Sequence, residues 1–463
     1  MGDLHGFRCT PGDEMKWKAL RASVLLSALF LLVYGATNYL AAARENVGSC
    51  VCGWEKHIPF VPWFVIPYMS IDLFFVGAPF VCRTERELRA FTKRIAFAIV
   101  VSGLFFLFLP LRFAFERPPV AGLLGVVFDG FRALDQPFNQ CPSLHVSLSV
   151  LLGAVYLRRT NGIVRFVVAV WFGLILLSPV LTYQHHVVDV AGGLALSVLC
   201  VFLFPERAPK LLVLPNRRVG SYYITGALLC AAACLVFRPW SWIMLWPAVA
   251  LGAMGAAYFG VGPGVYRKRR GRLPLTTRLV LWPVLAGQWL SWKHYVRRCN
   301  PWDRITDRVW IGGVLTERQA RHAIDSGVCA VLDLTGEFSE RESFLCAKYR
   351  QEPVLDLTAP TPEVLDRVVA FIERCSTFGV VYVHCKIGFS RSAAAVGAYL
   401  IYVGIAGSAQ AAMSILREKR PSIVIRPEAA DAIKGYANRS LRARQTEPRR
   451  VDVVVPLPTM PQP

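Results

Sequence analysis

The sequence predicts an α-helical polytopic membrane domain of about eight transmembrane helices, followed by a cytoplasmic α/β domain. Hydrophobic residues make up 54% of the 463 residues and charged residues only 18%, which is more apolar than a soluble protein of this length. The apolar stretches of about 20 residues fall in roughly the first 260 positions. Beyond residue 300, short β-branched runs alternate with helical patterns, as in an α/β domain.

Composition shifts along the chain divide it into segments. Apolar stretches dominate the first part, a basic and tryptophan-containing linker follows, and a proline-rich tail that we expect to be disordered ends the sequence. We therefore predict a cytoplasmic N-terminus at 1–21, the main membrane domain at 22–205, two additional transmembrane helices at 206–261, the linker at 262–300, the α/β domain at 301–442 and the tail at 443–463.

The individual spans follow from apolar length, because a transmembrane helix needs about 20 mostly apolar residues. Two spans are shorter and carry His145 and Asp189. Ionisable groups in membrane helices are costly and tend to be functional, so these two positions become candidates for chemistry. The predicted spans are residues 22–43, 59–81, 95–111, 143–157, 163–182, 187–205, 221–237 and 241–261.

The distribution of Lys and Arg orients the predicted bundle. The chain has 52 Lys+Arg against 31 Asp+Glu, a net charge of +21, and short loops rich in Lys and Arg stay cytoplasmic. Because the basic residues fall in alternate loops, we expect both chain ends to be cytoplasmic and loops 44–58, 112–142 and 178–187 to face outward. Anionic inner-leaflet lipid then accounts for the basic excess, the run at 267–270 included, and no nucleic-acid partner is expected. The pattern favours a bacterial inner membrane.

Ionisable residues on the outward side form a candidate catalytic cluster. His185 and Asp189 are four residues apart, so they share one helix face and can hydrogen-bond. A carboxylate behind an imidazole raises the basicity that a histidine nucleophile requires. Ser143 and the backbone N–H groups at a helix start can bind phosphate, and His145 can protonate a leaving alcohol.

Two arginines complete this outward cluster. Arg112 and Arg117, the latter followed by Pro118, can neutralise a phosphate. Over roughly residues 60–205 the arrangement resembles the PAP2 superfamily of lipid phosphate phosphatases and phosphotransferases. The resemblance implies His185 as nucleophile, Asp189 as its orienting carboxylate, His145 as general acid and Ser143 as phosphate ligand, with a phosphohistidine intermediate and no metal. Pro110 and Pro179 stand where the family has Lys and Arg, which leaves open a phosphotransferase or a site of reduced activity.

A second catalytic motif lies in the α/β domain, where His-Cys-x5-Arg-Ser follows an apolar run at 380–383. A loop between strand and helix presents backbone N–H groups to a phosphate, and the helix dipole adds to their field. The same field stabilises the Cys385 thiolate as a nucleophile. Arg391 can grip two phosphoryl oxygens, and Ser392 can donate to the sulfur as it leaves. Gly388 permits a turn that a side chain would obstruct.

The general acid of this motif has to reach the leaving oxygen. Asp356 is predicted to end a strand at 353–357, where a loop can carry it over the site. Asp333 falls on an interior strand and Asp366 inside a helix, so we rank both below Asp356. Further predicted strands are 309–312, 328–334 and 380–384, and the predicted helices are 316–326, 362–375, 391–403 and 408–419.

The segment resembles the dual-specificity branch of the protein tyrosine phosphatases, and within it the mitochondrial-type lipid phosphatases acting on phosphatidylglycerophosphate. The resemblance implies Cys385 as nucleophile through a phosphocysteine, Arg391 as phosphate clamp and Asp356 as acid and base. Lys386 would add charge for a multiply anionic head group, and the loop makes Ser390 a further phosphate-binding candidate. The segments that carry the resemblance are residues 302–305, 382–386, 390–393, 398–401 and 425–427.

The two motifs together predict an integral membrane enzyme that hydrolyses phosphate monoesters of phospholipids, with a histidine site on the outer face and a cysteine site on the cytoplasmic face. One alternative makes the outer site a lipid head-group phosphotransferase. The other is a membrane-tethered phosphatase of phosphoproteins whose membrane half senses lipid. We expect neither site to need a cofactor or a metal.

Overall fold

The computed structural model describes residues 11–44, 47–134, 137–207, 214–236 and 243–446. The chain divides into two compact units, Met1–Arg207 and Ala208–Pro463. The second unit contains the last two predicted spans together with the α/β domain. Residues 1–10 of the predicted N-terminal segment and residues 447–463 of the predicted tail lie outside the described residues.

The described part of the first unit forms seven helices: α1 (Pro11–Ala42), α2 (Val65–Val81), α3 (Glu85–Phe108), α4 (Gly122–Leu134), α5 (Leu144–Leu157), α6 (Gly162–Leu181) and α7 (Val187–Leu203). Six of them coincide with predicted spans. Helix α4 lies in the predicted outward loop and was not predicted. With 13 residues it is about 20 Å long, which is shorter than a hydrocarbon core of about 30 Å.

Five described helices are long and apolar enough to cross a membrane. Helices α5 and α7 are apolar but have only 14 and 17 residues. The prediction of about eight spans therefore stays a prediction. The five candidates are Asp13–Ala42, Pro62–Val81, Glu85–Phe108, Gly162–Leu181 and Leu245–Tyr266.

Helices α5 and α7, which carry the outward histidines and Asp189, are held close together at their N-terminal ends. The Ser147 hydroxyl donates to the Gly193 carbonyl at 2.9 Å, and the Ser143 backbone N–H donates to the Asp189 carbonyl at 2.9 Å. A Cβ atom at Gly193 would collide with the Ser143 carbonyl, so this glycine permits the close approach. The bundle core around them is formed by Ile95, Ile99, Leu152, Ile175 and Cys200, among others.

The described second unit begins with helices α8 (Arg217–Val236), α9 (Leu245–Ala256), α10 (Leu275–Val280) and α11 (Trp282–Val296). A π-helical turn at Ala257–Val261 and a 3-10 turn at Gly262–Tyr266 follow α9. Helix α11 lies within the predicted linker at 262–300. Its Trp282, Trp289 and Leu290 side chains are exposed, as an interfacial helix requires.

One residue of the basic run at 267–270, Lys268, is not available to anionic lipid as expected, whereas Arg269 and Arg270 are exposed. Lys268 is buried, and its ammonium group forms an ion pair with Asp333. It also donates to the Thr335 hydroxyl at 3.0 Å. A buried lysine needs such partners, because an unpaired charge in the protein interior is costly. Lys268 therefore fixes the linker to the α/β domain.

The α/β domain contains a five-stranded sheet in the order β1-β2-β5-β3-β4. Strand β1 is antiparallel to β2, and the remaining pairs are parallel. The strands are β1 (Trp302–Thr306), β2 (Val309–Gly312), β3 (Val328–Asp333), β4 (Lys348–Gln351) and β5 (Val380–His384), and the helices are α12 (Glu317–Asp325), α13 (Glu342–Leu345), α14 (Pro362–Ser376), α15 (Ser390–Tyr402), α16 (Ala409–Lys419) and α17 (Pro427–Thr446).

The predicted strands β2, β3 and β5 and the predicted helices α12, α14, α15 and α16 are confirmed to within one or two residues. The prediction of a strand at 353–357 is wrong. The fourth strand is β4, which ends at Gln351. Backbone N–H groups of Glu352 and Val354 still bond to the end of β3. Beyond them β3 offers no further partner, and the chain turns away at Leu357, whose φ is +58°. Asp356 therefore lies in a turn.

The sheet is buried on both faces, and β5 at its centre alternates between them. Val381 and Val383 pack in a core with α14, α15, α16 and α17. Tyr382 packs on the other face with residues of α12 and α13. A central parallel strand buried on both faces reads as a continuous apolar run, which is what the sequence shows.

Candidate active sites

The cysteine motif occupies the loop between β5 and α15, and the outside of this loop is held by hydrogen bonds to its carbonyl groups. The Lys386 carbonyl accepts from the Val314 N–H at 3.1 Å. The Ile387 carbonyl accepts from Arg420 Nη2 at 3.0 Å. Because these carbonyls point outward, the backbone N–H groups of the loop can bind an anion on its concave side.

Two loop residues have roles in its shape. Gly388 has φ of +82°, and a Cβ atom there would collide with the Gly312 backbone. The Ser390 hydroxyl donates to the Val424 carbonyl at 2.8 Å and accepts from the Arg426 N–H at 3.0 Å. The Ser390 hydroxyl is therefore already hydrogen-bonded, and the backbone N–H is the group of Ser390 that can bind a phosphate.

Arg391 is fully buried and already oriented. Its Nη2 lies 2.7 Å from Glu337 Oε1 and its Nη1 lies 3.2 Å from Oε2, which is a two-point ion pair. Nη1 also donates to the Val354 carbonyl at 2.9 Å, and Nη2 lies 3.3 Å from Asp356 Oδ1. The guanidinium is therefore fixed in place before a phosphate arrives.

Cys385 is the first residue of the loop and is buried. Burial alone would raise the pKa of its thiol, but the Arg391 guanidinium, Ser392 and the Gly388 N–H outweigh burial and lower that pKa below its usual value. The Ser392 hydroxyl is buried and has no hydrogen bond to any other described group, so it is available to the sulfur. The site therefore favours a thiolate.

Asp356 lies over the loop, as predicted from sequence, although from a turn. Its Oδ2 is 2.5 Å from Lys386 Nζ. Burial would raise the pKa of the Asp356 carboxyl, but Arg391 and Lys386 outweigh it and lower the pKa to about 2. The carboxyl is therefore ionised at neutral pH. A bound phosphate dianion would neutralise both cations, so the pKa would rise and Asp356 would become able to carry a proton.

A buried ionic cluster supports the loop from behind. His384 Nε2 lies 2.8 Å from Glu340 Oε2 and 3.8 Å from Asp333 Oδ1. One possible metal-ligand atom from each of these three residues lies within 4.8 Å of the other two. Among the described residues, this is the group of His, Cys, Asp or Glu side chains that is close enough together to hold a metal ion. The Lys268 ammonium already brings positive charge to Asp333. Burial would raise the pKa of Asp333, but Lys268 and His384 lower it to about 2, and Asp333 is fully buried, in agreement with its lower rank as general acid.

Glu337 and Arg420 are among the charged residues of this site that sequence reasoning missed. Glu337 follows the end of β3, and Arg420 follows α16. Arg420 is fully buried, and its Nη1 lies 2.5 Å from Asp303 Oδ2. A signal for Glu337 existed, because the carboxyl ends of neighbouring parallel strands meet at one edge of the sheet. Asp303, the partner of Arg420, lies in one of the segments that carried the family resemblance. The two residues are far apart in the sequence, so no sequence pattern predicted that they pair.

The structure brings His145, His185 and Asp189 together at the starts of α5 and α7. His185 Nδ1 is buried, 3.8 Å from Asp189 Oδ2, and makes no hydrogen bond in the described structure. The expected hydrogen bond is therefore absent, and Asp189 instead accepts from the His186 N–H at 2.8 Å. The ring of His145 stacks on Tyr68.

A different histidine, His186, has the tightly paired imidazole. Its Nδ1 lies 3.0 Å from Glu55 Oε2, and its Nε2 accepts from the Ala114 N–H at 3.0 Å. Both ring nitrogens are therefore occupied, so His186 is structural and His185 is the histidine with an available nitrogen. Glu55 is also buried, and sequence reasoning did not identify it as part of this cluster.

The remaining predicted phosphate ligands lie around this cluster. Ser143 is fully buried, and its hydroxyl accepts from the Val146 N–H as the cap of α5. Arg117 Nε donates to the Tyr183 carbonyl at 3.0 Å, two residues before His185. Arg112 is exposed, and its backbone N–H donates to the Gly48 carbonyl. The functional roles predicted for these residues stay predictions.

Comparisons with known proteins match both halves of the chain. The model of the dual specificity phosphatase catalytic domain matches residues 317–439, and that of the PAP2 superfamily matches residues 55–203. The recognition of both families from sequence motifs is therefore confirmed.

Similar proteins are found for the cysteine domain. Human phosphatidylglycerophosphatase and protein-tyrosine phosphatase 1 is 31% identical over 184 residues, covering 37% of this chain and 90% of that protein. Phosphatidylglycerophosphate phosphatase PTPMT1 of Arabidopsis thaliana is 29% identical over 142 residues, covering 29% of this chain and 42% of that protein. A crystal structure of PTPMT1 shares 28% identity over 31% of this chain and 99% of that chain, with a TM-score of 0.29.

Proposed function

Because this chain belongs to the dual-specificity phosphatases related to phosphatidylglycerophosphatase and protein-tyrosine phosphatase 1 and also carries a PAP2 superfamily domain, we propose that it is a membrane phosphatase with two independent sites acting on lipid phosphate monoesters. The chain is a phosphoric monoester hydrolase. The observation that carries the proposal is the Cys385 loop, in which a thiolate-stabilising field, the oriented Arg391 and the overlying Asp356 meet.

The cysteine site follows a two-step route. The Cys385 thiolate attacks phosphorus, the bond from phosphorus to the leaving oxygen breaks, and Asp356 gives its proton to that oxygen. Water then attacks the phosphocysteine while Asp356 takes the water proton. The S–P bond breaks, inorganic phosphate leaves, and Ser392 stabilises the returning thiolate. Arg391 and the loop N–H groups hold the phosphoryl oxygens throughout.

Three features support a phosphorylated lipid as substrate of the cysteine site. The names of the human and plant relatives both refer to phosphatidylglycerophosphate, although the human name also includes a protein-tyrosine phosphatase. Lys386 places a second cation beside Arg391, which suits a multiply anionic head group. Helix α11 exposes Trp282, Trp289 and Leu290, which belong at a membrane surface.

The histidine site is proposed as the second phosphatase centre. His185 would attack phosphorus, His145 would protonate the leaving alcohol, and the starts of α5 and α7 would hold the phosphate. A head-group phosphotransferase is the second candidate for this site, favoured by Pro179 at the family's Arg position. Transfer of a labelled head group between lipids, with His185→Ala as control, separates transfer from hydrolysis.

The orientation that we propose places the cysteine site in the cytoplasm and the histidine site outside, in a bacterial inner membrane. The chain's own cysteines test this. Cys50 and Cys52 are exposed in the proposed outward loop, and Cys346 is exposed in the phosphatase domain. A membrane-impermeant thiol reagent on intact cells should label the first two and spare Cys346 until the cells are permeabilised, with Cys346→Ser as control. Labelling of Cys346 in intact cells would overturn the orientation.

The function is tested with purified full-length protein and vesicles containing phosphatidylglycerophosphate or other phosphatidyl monoesters. Cys385→Ser should abolish phosphate release at the cysteine site and leave His185-dependent release intact, while His185→Ala does the reverse. Full activity of Cys385→Ser toward every monoester would refute the cysteine assignment. Phosphotyrosine peptides turning over far faster than the lipids would favour a protein phosphatase instead.

A further inference from the structure

The turn that carries Asp356 is held by two side chains from outside the phosphatase domain. The Tyr258 hydroxyl donates to the Asp356 carbonyl at 2.8 Å. The Asn216 side-chain amide donates to the Leu357 carbonyl at 2.9 Å. Asn216 immediately precedes α8, and Tyr258 lies in the π-helical turn after α9. Two consecutive carbonyls of the acid-bearing turn are therefore bound by the helix pair that precedes the domain.

Both donors are rigid. Tyr258 is 1% exposed, and its ring stacks on Tyr223 with centroids 5.4 Å apart. The Asn216 side-chain oxygen accepts from the Val219 N–H at 3.2 Å, which fixes the amide. The Asn216 N–H donates to the Tyr258 carbonyl at 3.1 Å. The two donors thus form one connected unit, held together by contacts within the helix pair.

The turn needs such support because its backbone is strained. Leu357 has φ of +58°, a left-handed conformation in which the Cβ atom of a non-glycine residue crowds the following carbonyl oxygen. The hydrogen bonds to the Asp356 carbonyl, before Leu357, and to the Leu357 carbonyl itself hold the backbone in this conformation. They also set where the Asp356 carboxylate lies, 2.5 Å from Lys386 Nζ and 3.3 Å from Arg391 Nη2.

We propose that Tyr258 and Asn216 are positioning residues for the general acid, so that the cysteine site is complete only when the α8–α9 helix pair is docked on it. This inference rests on the proposed role of Asp356 as acid. Neither residue touches the phosphate. Each acts through the backbone of the Asp356 turn, and loss of either leaves the thiolate and Arg391 intact but the acid misplaced.

The test uses two soluble substrates that differ in their need for an acid. An aryl ester such as 4-nitrophenyl phosphate has a good leaving group and needs little protonation, whereas a short alkyl phosphate needs a proton. Purified full-length Tyr258→Phe should lose roughly tenfold or more of kcat on the alkyl ester and less than about threefold on the aryl ester. Asn216→Asp keeps an acceptor for the Val219 N–H and replaces the amide donor by a carboxylate oxygen that repels the Leu357 carbonyl. It should therefore show the same dependence on the leaving group.

Tyr222→Phe is the matched control, because Tyr222 is exposed on α8 and its hydroxyl contacts Arg218. It should match wild type on both substrates. If Asp356→Asn shows the leaving-group dependence but Tyr258→Phe and Asn216→Asp match wild type or lose both substrates equally, the positioning role is overturned. If Asp356→Asn itself shows no such dependence, the acid assignment fails and the positioning role fails with it.

Discussion

Arg391 and Glu337 form a buried two-point ion pair, with Nη2 2.7 Å from Oε1 and Nη1 3.2 Å from Oε2. Both side chains are almost fully buried. Two parallel N–H···O bonds fix the plane of the guanidinium, so the face that it offers to a phosphate is set before substrate binds. The catalytic loop is therefore pre-organised by a carboxylate that belongs to a different strand end.

Glu337→Ala should destabilise the phosphatase domain by about 3–5 kcal/mol, because it leaves a buried guanidinium without its partner. The measurement is the thermal unfolding midpoint of the full-length protein in detergent. Asp366→Ala is the control, since its pair with Arg439 is exposed and should contribute less than about 1 kcal/mol. Equal effects of the two variants would contradict the structural role of Glu337.

Arg391→Lys should lower kcat/KM by roughly 10²- to 10³-fold, because an ammonium cannot make the two parallel bonds to phosphate that a guanidinium makes. Steady-state kinetics on a phosphate monoester measures the loss. Arg439→Lys, on the exposed surface, should leave the kinetics unchanged. A loss smaller than about threefold would mean that Arg391 does not clamp the phosphate.

Lys386→Met should move the alkaline limb of the kcat profile to higher pH. Lys386 is one of the two cations that lower the pKa of Asp356 to about 2. Removing a positive charge beside a carboxyl raises its pKa, so the acid would keep its proton to higher pH. Lys434→Met, which affects only an exposed pair with Asp431, is the control. An unchanged or acid-shifted limb would rule out the coupling.

Gly388→Ala should inactivate the cysteine site, because the new Cβ atom would collide with the Gly312 backbone and displace the loop. Gly404 has a similar φ of +79° but open space around it. Gly404→Ala therefore imposes the conformational cost, about 1–2 kcal/mol, without the collision. We expect Gly404→Ala to fold and remain active, as measured by phosphate release. Normal activity of Gly388→Ala would show that the loop tolerates movement.

His185→Gln should abolish phosphate release at the histidine site, whereas His186→Gln should retain at least about a tenth of it. The reason is that both nitrogens of His186 are bonded, to Glu55 and to the Ala114 N–H, so it does not act as the nucleophile. The assay is carried out in the Cys385→Ser background, so that only the histidine site contributes. The opposite ranking would exchange the two assignments.

Local sequence predicted what depends on neighbouring residues. The strand, loop and helix around Cys385 follow from an apolar run, a glycine and a helix pattern within about 25 residues. The residues that sequence reasoning missed act across long separations: Glu337 bonds to Arg391 54 positions away, Lys268 to Asp333 65 away, and Glu55 to His186 131 away. No local pattern encodes such pairings, because they depend on which strand ends and helix starts meet in the fold.

The turn of Asp356 shows the same limit. The β-branched and apolar composition of 353–357 favours a strand, yet β3 ends too early to pair with it. The bonds that hold this turn come from Asn216 and Tyr258, 141 and 98 positions away. Sequence patterns therefore predicted Asp356 as the acid but not the conformation of the turn that carries it.

The most direct test of two independent nucleophiles is to trap the phosphoenzyme. The full-length protein is mixed with labelled phosphatidylglycerophosphate, quenched rapidly and mapped by mass spectrometry. We predict a phosphopeptide containing Cys385 that persists in His185→Ala and disappears in Cys385→Ser. Absence of phosphate on Cys385 in the wild type, or loss of that phosphopeptide in His185→Ala, would contradict the account.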